Sequence, residues 1–457
     1  MNLPEYFLAD LPDPSVLNPT MIREACIAVR TNRRQYLAGR NTDSIIAALA
    51  AVAEDWMSEE SPYRRLALKL GPSQLGFPPE TLALGLESFF SLLTPDNLRA
   101  LVRQDLGHPH RLDRLLPAEG ESMPTRTALA RGPELLVQVT GGRLPNPALT
   151  SLALGLLVRA AQFMKCATGT SLLPRLFAHS LREVEPKLGA CLEIAEWKGG
   201  HRDLEDALFA EADCLTATGS DETIEEIQRR IPARTRFLGY GQRVSFAYVA
   251  QDALSSSRLS TLAGECAQDV IAWNQLGCLS PHAIYVETGS RTSPAKFAEA
   301  VAVALATAEQ SQPRGPLSVQ ESAAIAARRG FYEVRAAHSH DTQLWCSPGT
   351  TDWTVVYENE PRFQLSCLNR FLHVKAVAGI DDALRGVDEY RGRISTVGLA
   401  AAGLKEQQLV ERLAHWGVPR ICPVGRMQSP PLAWRHDGRP SLGDLIAWTD
   451  WELPSRW

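Results

Sequence analysis

The chain has 457 residues, more than a single hydrophobic core usually serves, so we expect two or three domains. Its hydrophobic fraction of 45% and charged fraction of 22% are those of an ordinary globular protein. A formal net charge of −5 without any basic block argues against non-specific nucleic-acid binding, which depends on clustered Lys and Arg facing phosphates.

Targeting segments, disulfides and metal sites are not predicted. The N-terminus lacks a basic segment followed by an apolar one, so it does not resemble a secretory signal. The most apolar stretch, residues 149–164, is interrupted by Arg159 and is short for a membrane span, so we interpret it as a core helix. Nine scattered cysteines without a CxxC motif indicate a reduced, cytoplasmic protein. The His-x-His pairs at 108/110 and 338/340 have no acidic or cysteine partners at ligand spacing.

The first 130 residues have mainly helical patterns. Helices are predicted at 44–56 and 79–93, with Thr94 as the cap of another helix, and 123–133 is interpreted as a connection. Short apolar strands then alternate with helices, which indicates a doubly wound parallel sheet that binds nucleotides at the carboxyl ends of its strands. The predicted strands of this region are 134–140, a strand that begins at 163, 190–197 and 213–217. Its predicted helices are 146–162, 171–183, 204–210 and 222–230.

A second alternating region predicts a second α/β domain. Its predicted helices are 263–275, 294–308 and 380–390, and its predicted strands are 283–286, 354–357, 373–377 and 395–399.

Cys278 is the candidate nucleophile. It follows Gly277 at a helix-to-loop transition just before a strand, where a glycine permits close substrate approach and an exposed thiolate is an effective nucleophile. The alternative is a small apolar residue in a loop. His282 either raises the thiolate fraction or merely caps a turn.

Two strand ends are candidates for nucleotide binding. Thr218, Gly219 and Ser220 end one strand and start a helix, which places backbone N–H groups where a pyrophosphate can sit, although a capped helix is the simpler interpretation. Lys165, with Thr168 three residues later, ends another strand and is either a contact to a nucleotide ribose or a solvated lysine. There is no GxGxxG motif.

Taken in order, these segments resemble the aldehyde dehydrogenase superfamily, and specifically its fatty acyl-CoA reductase (LuxC) family. The resemblance runs from about residue 130 to 450, whereas residues 1–120 match poorly. Each motif is weak alone but the ordered set is specific: GRLP at 142–145, WKGG at 197–200, ATGS at 217–220, FLGYGQRVSF at 237–246, GCLSPHAIYVE at 277–287 and GVPRICPVGRMQSPPLAWRHDGRP at 417–440.

The resemblance implies roles for several residues. Cys278 matches the catalytic cysteine, Lys165 the lysine at the adenosine ribose, and Gly219 and Ser220 the helix start beneath the pyrophosphate. Thr168 stands where many NAD-preferring relatives carry a ribose-binding glutamate. This neutral residue leaves room for a 2′-phosphate beside Lys165, and so favours NADPH.

Three departures from the superfamily pattern accompany these matches. The glutamate that activates water in hydrolytic relatives is missing at Phe237, which fits a reductase that must protect its thioester. Arg143 replaces the usual oxyanion-holding Asn, with Asn146 as a nearby substitute and the Cys278 backbone N–H as another donor. The Glu-x-Phe that grips the nicotinamide ribose is absent around 367–371.

The sequence therefore predicts an aldehyde-dehydrogenase-like α/β fold with two doubly wound domains and a helical N-terminal region. The expected function is NADPH-dependent reduction of an acyl-CoA or acyl carrier protein thioester to an aldehyde through a Cys278 acyl-enzyme. An oxidative aldehyde dehydrogenase and a non-catalytic acyl-carrier-binding subunit are the alternatives. We also expect a homo-oligomer and a partner enzyme that activates or transfers the acyl group.

The predicted boundaries divide the chain into four parts. Residues 1–125 form the helical region as part of the cofactor domain, 126–250 the nucleotide-binding domain, 251–420 the catalytic domain and 421–457 a C-terminal segment.

Overall fold

The computed structural model of the chain describes residues 3–12, 16–121 and 125–454. Residues 122–124, which include the start of the predicted connection at 123–133, and residues 455–457 of the predicted C-terminal segment lie outside the described residues.

Five helices precede the first strand, as predicted for the N-terminal region. Helix α2 buries Ile45, Leu49, Val52 and Trp56, a spacing that places all four on one face. Thr94 is confirmed as a cap, because its Oγ1 accepts the Asn97 N–H at 3.2 Å. The five helices are α1 (Pro19–Asn32), α2 (Thr42–Met57), α3 (Pro62–Leu75), α4 (Pro79–Phe90) and α5 (Pro95–Leu106).

A five-stranded parallel sheet forms the first α/β unit, in the order β4-β3-β2-β5-β6. Successive strands run outward from β2 in both directions, so the carboxyl ends of β2 and β5 flank the point where the strand order reverses. Its elements are β2 (Leu135–Val139), α6 (Asn146–Leu157), β3 (Ala161–Cys166), α7 (Leu172–Val184), α8 (Pro186–Gly189), β4 (Leu192–Glu196), α9 (Arg202–Glu211), β5 (Cys214–Thr218), α10 (Asp221–Arg230) and β6 (Arg236–Tyr240).

A seven-stranded sheet forms the second unit, in the order β13-β12-β7-β8-β11-β10-β9, with β9 antiparallel to its neighbour. Strand β8, which follows Cys278 along the chain, lies between β7 and β11. The elements are β7 (Val244–Val249), α11 (Leu259–Ile271), β8 (Pro281–Glu287), α12 (Pro294–Ala308), α13 (Val319–His338), β9 (Thr342–Cys346), β10 (Thr354–Glu358), β11 (Phe371–Val377), α14 (Ile380–Gly386), β12 (Ile394–Ala400), α15 (Gly403–Trp416) and β13 (Ile421–Pro423).

A separate antiparallel ribbon pairs β1 (Arg126–Arg131) with β14 (Ala447–Glu452). The interpretation of 123–133 as a connection was therefore wrong for residues 126–131. None of the helices in the three described ranges combines the length and the hydropathy that a membrane crossing requires.

Four predicted helices end at least three residues earlier than expected: α4 at Phe90, α14 at Gly386, α6 and α11. Helix α6 stops at Leu157, because Arg159 has a left-handed backbone (φ +60°) and β3 already begins at Ala161. Helix α11 stops at Ile271, and residues 273–275 have positive φ values of 52°, 52° and 65°.

The N-terminal helices share cores with the five-stranded sheet. Leu136 of β2 belongs to the cluster that contains α2, α4 and α7, whereas its neighbours Leu135 and Val137 face a second cluster formed with α1 and α9. Both faces of the sheet are therefore covered by helices, as a parallel sheet requires. Trp273, which precedes Cys278, joins the first cluster and connects it to the cysteine loop.

Candidate active site

Cys278 lies in the loop before β8 and is half-buried. Its backbone carbonyl accepts the Ser245 hydroxyl at 2.6 Å, and that hydroxyl oxygen also accepts the Thr396 N–H at 3.1 Å. A Cβ on the preceding Gly277 would lie 3.5 Å from Leu144 Cδ1. Because Leu144 follows β2 of the five-stranded sheet, the cysteine loop faces the cleft between the two sheets.

A buried polar network holds the left-handed segment 273–275 ahead of the cysteine. Asn274 accepts a hydrogen bond from Arg370 Nε at 3.0 Å and donates to the Arg314 carbonyl at 2.8 Å. Arg370 is fully buried and also pairs with Glu309 at 2.7 Å. Both bonds hold the middle residue of the left-handed segment 273–275, and so help to position the start of the cysteine loop.

The segment 367–371, which lacks the Glu-x-Phe of typical relatives, has a structural role here. Leu368, Asn369 and Arg370 form a second left-handed run, with φ values of 60°, 52° and 65°. Arg370 is the residue of this run that bonds Asn274. The segment therefore braces the cysteine loop.

The Cys278 thiol is protonated at neutral pH. Burial and the Asp437 carboxylate raise its pKa to about 11, and these effects outweigh the opposite effects of the Ser395 hydroxyl, the Cys278 backbone N–H and the charge of Arg243. Such a pKa leaves roughly one thiol in ten thousand ionised at pH 7. The expectation of an exposed thiolate was wrong, because the cysteine loop packs into the cleft.

His282 does not supply a positive charge to the thiol. Its Nδ1 accepts the Ser366 N–H at 3.2 Å, and burial together with the nearby His373 lowers its pKa to about 4. The imidazole is therefore neutral at pH 7, and it cannot raise the thiolate fraction electrostatically.

The loops after β2 and β5 meet at the reversal point of the five-stranded sheet. A Cβ on Gly141 would lie 2.6 Å from the Thr218 carbonyl oxygen, so only glycine allows these loops to approach so closely. Ser220 caps α10, its hydroxyl accepting the Thr223 N–H at 3.4 Å, and Gly219 donates to the Tyr240 carbonyl at 3.2 Å. The three predicted residues Thr218, Gly219 and Ser220 thus lie together at the reversal point of the sheet.

Lys165 ends β3 beside this crevice and is buried. Its Nζ lies 5.8 Å from the centre of the Trp197 ring, and no carboxylate of the described residues lies within ion-pair distance. Burial lowers the pKa of Lys165, since a desolvated ammonium without a counter-ion is destabilised. This environment fits an anionic or hydroxyl-bearing ligand. Thr168 lies in the exposed turn that follows β3.

Arg143 and Asn146 are both engaged elsewhere. Arg143 forms a 2.7 Å ion pair with Glu321 at the start of α13, across the cleft. The Asn146 amide donates to the Gly85 carbonyl of α4 at 3.0 Å, and its buried Oδ1 has no hydrogen-bond partner among the described residues. Neither side chain is free to donate all its hydrogen bonds to an oxyanion at Cys278.

The sequence did not point to the three residues that act on the thiol. Arg243 precedes β7, Ser395 lies in β12, and Asp437 belongs to the C-terminal segment, where Arg243 Nε donates to Asp437 at 3.2 Å. The adjacent His436 stacks on Tyr240 of β6, with ring centres 4.9 Å apart. A His-Asp pair at 436–437 suggests a relay, but the WRHDGRP sequence around it favours a turn. Its position beside Cys278 depends on the order of β12, β7 and β8 in the sheet.

Comparison with protein families gives a match over most of the chain. The family described as Acyl-CoA reductase (LuxC) matches residues 37–448. Two curated relatives are both long-chain acyl-protein thioester reductases. The one from Vibrio harveyi is 22% identical over 92% of this chain and 84% of its own length. The one from Aliivibrio fischeri is 23% identical over 95% and 87%.

Solved structures show the same fold. A bifunctional proline utilization A (PutA) protein superposes with a TM-score of 0.72 at 16% identity over 97% of this chain, which spans only 45% of that longer protein. An NAD-dependent benzaldehyde dehydrogenase from Corynebacterium glutamicum gives a TM-score of 0.70 at 12% identity, over 96% of this chain and 90% of its own. The chain therefore has the aldehyde-dehydrogenase-like fold predicted from its motifs.

Proposed function

Because the chain belongs to the acyl-CoA reductase (LuxC) family, we propose that it reduces a long-chain acyl thioester to an aldehyde with NADPH, through an acyl-enzyme at Cys278. The observation that carries the proposal is the position of Cys278, because the preceding Gly277 lies next to Leu144 in the loop that follows β2. The acyl donor is an acyl-CoA or an acyl carrier protein.

The first step is a thiol exchange at Cys278. The cysteine sulfur bonds to the acyl carbon, the bond between that carbon and the donor's sulfur breaks, and the released thiol takes the proton that Cys278 loses. Since one thioester replaces another, the step needs little driving force, and positioning dominates its rate. The protonated resting thiol favours a transfer in which substrate binding and deprotonation coincide.

Oxyanion stabilisation is assigned mainly to the Cys278 backbone N–H. That N–H lowers the pKa of the thiol, so it favours negative charge at this position. Arg143 is occupied by Glu321, and Asn146 by the Gly85 carbonyl, so both contribute through the position of the β2 loop and α6.

NADPH is assigned to the crevice between β2 and β5, where it supplies hydride to the acyl carbon when bound. The Lys165 ammonium and the space beside Thr168 suit a ribose 2′-phosphate, and Gly219 and Ser220 suit the pyrophosphate. Phe237 occupies the position of the missing glutamate, so the carboxylate that activates water in hydrolytic relatives is absent from that position. A homo-oligomer and a partner that delivers the acyl group complete the proposal.

The test is a spectrophotometric screen of NADPH oxidation with acyl-CoA substrates of increasing chain length, with the product trapped as a hydrazone. Thioester-dependent NADPH oxidation with an equal amount of aldehyde hydrazone is expected. Aldehyde-dependent NADP⁺ reduction without any thioester reduction would instead identify an oxidative dehydrogenase. A protein inactive in both directions that still retains an acyl carrier would be a non-catalytic subunit.

A further inference from the structure

A cavity lies at the amino ends of the strands of the five-stranded sheet, opposite the end that carries the nucleotide crevice. Its volume is about 760 Å³, within the range of small-molecule sites. The walls come from the residues that precede β2, β3, β5 and β6, from the turn that follows α1, and from the β1–β14 ribbon. Because these are the amino ends of parallel strands, the cavity is separated from Lys165 and Gly219 by the length of the sheet.

The lining is strongly basic in a chain whose overall charge is negative. Six arginines and three carboxylates contribute to it, an excess of three positive charges. The three carboxylates are already paired: Asp113 with Arg159, Glu134 with Arg30 and Arg34, and Asp213 with Arg30. An anion that enters the cavity therefore meets little free negative charge.

Four of the lining arginines have no carboxylate within 4 Å among the described residues: Arg33, Arg131, Arg234 and Arg236. Three of them are held by backbone carbonyls. Arg33 donates to the Arg159 carbonyl at 2.6 Å, Arg234 to the Ala210 carbonyl at 2.8 Å and Arg236 to the Asp444 carbonyl at 3.1 Å. Carbonyl contacts orient guanidinium groups without neutralising them, so these side chains are arranged to receive an anion.

Arg159 supplies a second, independent observation. It is 92% buried in the cavity wall, and its left-handed backbone (φ +60°) is unusual for an arginine. Its two terminal nitrogens bond Thr42, Asp113 and the Leu112 carbonyl, while its buried Nε has no hydrogen-bond partner within the described ranges. A buried donor left without an acceptor is costly unless a ligand or water completes it.

We propose that this cavity binds a phosphorylated small molecule, at a site separate from the nucleotide crevice. Arginines form bidentate bonds with phosphate oxygens, which matches the unpaired guanidinium groups. Apolar lining residues, among them Leu129, Val158 and Leu445, leave space for an organic group attached to the phosphate. A bound molecule would connect the β1–β14 ribbon to the sheet, since both contribute to the walls.

Isothermal titration of the full chain with inorganic pyrophosphate, at fixed ionic strength, tests the proposal. The decisive variant is the double substitution Arg131→Gln and Arg234→Gln, because neither residue pairs with a carboxylate. It is expected to bind pyrophosphate about tenfold more weakly or worse, since charge-assisted bonds to the anion are lost. Arg229→Gln, an exposed arginine paired with Glu225 outside the cavity, should bind like the wild type.

Lys165→Ala separates the two sites. Pyrophosphate binding that persists in Lys165→Ala and is lost in the double variant supports an anion site in the cavity. This result does not depend on whether the reductase activity is found. Binding that is lost only in Lys165→Ala, or equally in Arg229→Gln, would overturn it. Binding of an acidic peptide but not of pyrophosphate would also overturn it, by assigning the cavity to a protein partner. Unchanged far-UV circular dichroism and melting of the free variants establish that they fold.

Discussion

At the scale of single residues, the thiol of Cys278 is controlled by charges from distant segments. Burial has the largest effect and raises the pKa of the thiol, and Asp437 raises it further. Arg243 and the Ser395 hydroxyl lower it. A thiol kept protonated in this way resists alkylation and oxidation while no substrate is present, because the thiolate is the reactive form.

Replacing Asp437 by Asn should lower the pKa of Cys278 below about 11. The substitution removes a negative charge that disfavours the thiolate, and it releases Arg243, whose charge favours it. Iodoacetamide alkylation measured against pH gives the pKa, and below it the variant should react faster than the wild type. Asp444→Asn, in the same segment but paired with Arg439, is the control and should leave the profile unchanged. An equal or higher pKa in Asp437→Asn would contradict this account.

Cofactor preference should follow the residue at position 168. A Thr168→Glu substitution places a carboxylate where a 2′-phosphate is proposed, and like charges repel. The ratio of kcat/KM for NADPH to that for NADH should therefore fall by about tenfold or more. Steady-state kinetics with both cofactors measures the ratio, and Thr168→Ser should preserve it. An unchanged ratio in the glutamate variant would exclude a 2′-phosphate at this position.

Single residues were predictable from the sequence where the chemistry is local. Cys278 follows its own glycine before a strand, and Gly219 and Ser220 join a strand to the helix they start, so short motifs predict their places in the fold. Arg243 and Asp437 are 194 positions apart, and their contact depends on the sheet order. The ion pair between Arg143 and Glu321 could not be predicted either, because it also depends on how distant segments pack together.

At the scale of elements, the segment between α11 and β8 determines the site. Non-glycine residues seldom adopt positive φ, yet Trp273, Asn274 and Gln275 do so in succession. A Cβ on Gly85 of α4 would lie 2.0 Å from the Trp273 ring, so this glycine is required for the ring to pack there. The expectation that residues 1–120 match the family poorly was wrong from residue 37 onward, where the family match begins. The N-terminal helices within that match thereby support the cysteine loop.

Asn274→Ala should destabilise the fold and displace the cysteine loop. It leaves the buried Arg370 Nε and the Arg314 carbonyl without partners, at a cost of about 2–4 kcal/mol in the free energy of unfolding. Urea unfolding measures this change, and Cys278 alkylation measures the loop. The control, Asn359→Ala, removes an exposed bond to Asp341 and should cost about 0.5 kcal/mol or less. Equal effects of the two substitutions would contradict the bracing role of Asn274.

Most elements could be predicted because caps and periodicity are local. Helix α12 has its predicted bounds, since Ser293 caps it and Pro294 begins it. Helix α13 was missed, although its capping box of Ser318 and Glu321 is visible in the sequence, because few of its residues are buried and its hydrophobic pattern is weak. Strand β1 was missed because it pairs with β14 at the other end of the chain.

At the scale of the whole molecule, the ion pair between Arg143 and Glu321 connects the two α/β units across the cleft. Burial raises the pKa of Glu321, but hydrogen bonds from Ser318 and Arg143 have the greater effect and lower this pKa to about 2. A carboxyl pKa lowered in the folded state adds stability above its ordinary value near 4.5, and this is lost as the pH falls toward 2. The pair therefore stays charged throughout the neutral range.

A double-mutant cycle of Arg143→Ala and Glu321→Ala distinguishes a cleft contact from an oxyanion role. As a half-exposed pair, the two residues should show a coupling of about 0.2–1 kcal/mol in stability, with kcat changed only slightly by either substitution. An oxyanion role would lower kcat about 100-fold in Arg143→Ala alone. Unfolding curves and steady-state kinetics of the three variants provide the comparison.

The most direct test of the central claim is the intact mass of the protein after incubation with a long-chain acyl-CoA in the absence of reductant. The account predicts one added acyl group, located on Cys278 by peptide mapping, absent from Cys278→Ala and released as aldehyde when NADPH is added. The Cys278→Ala protein should still bind NADPH. An acyl group retained by Cys278→Ala, or a wild-type protein that reduces the thioester without ever carrying the group, would contradict it.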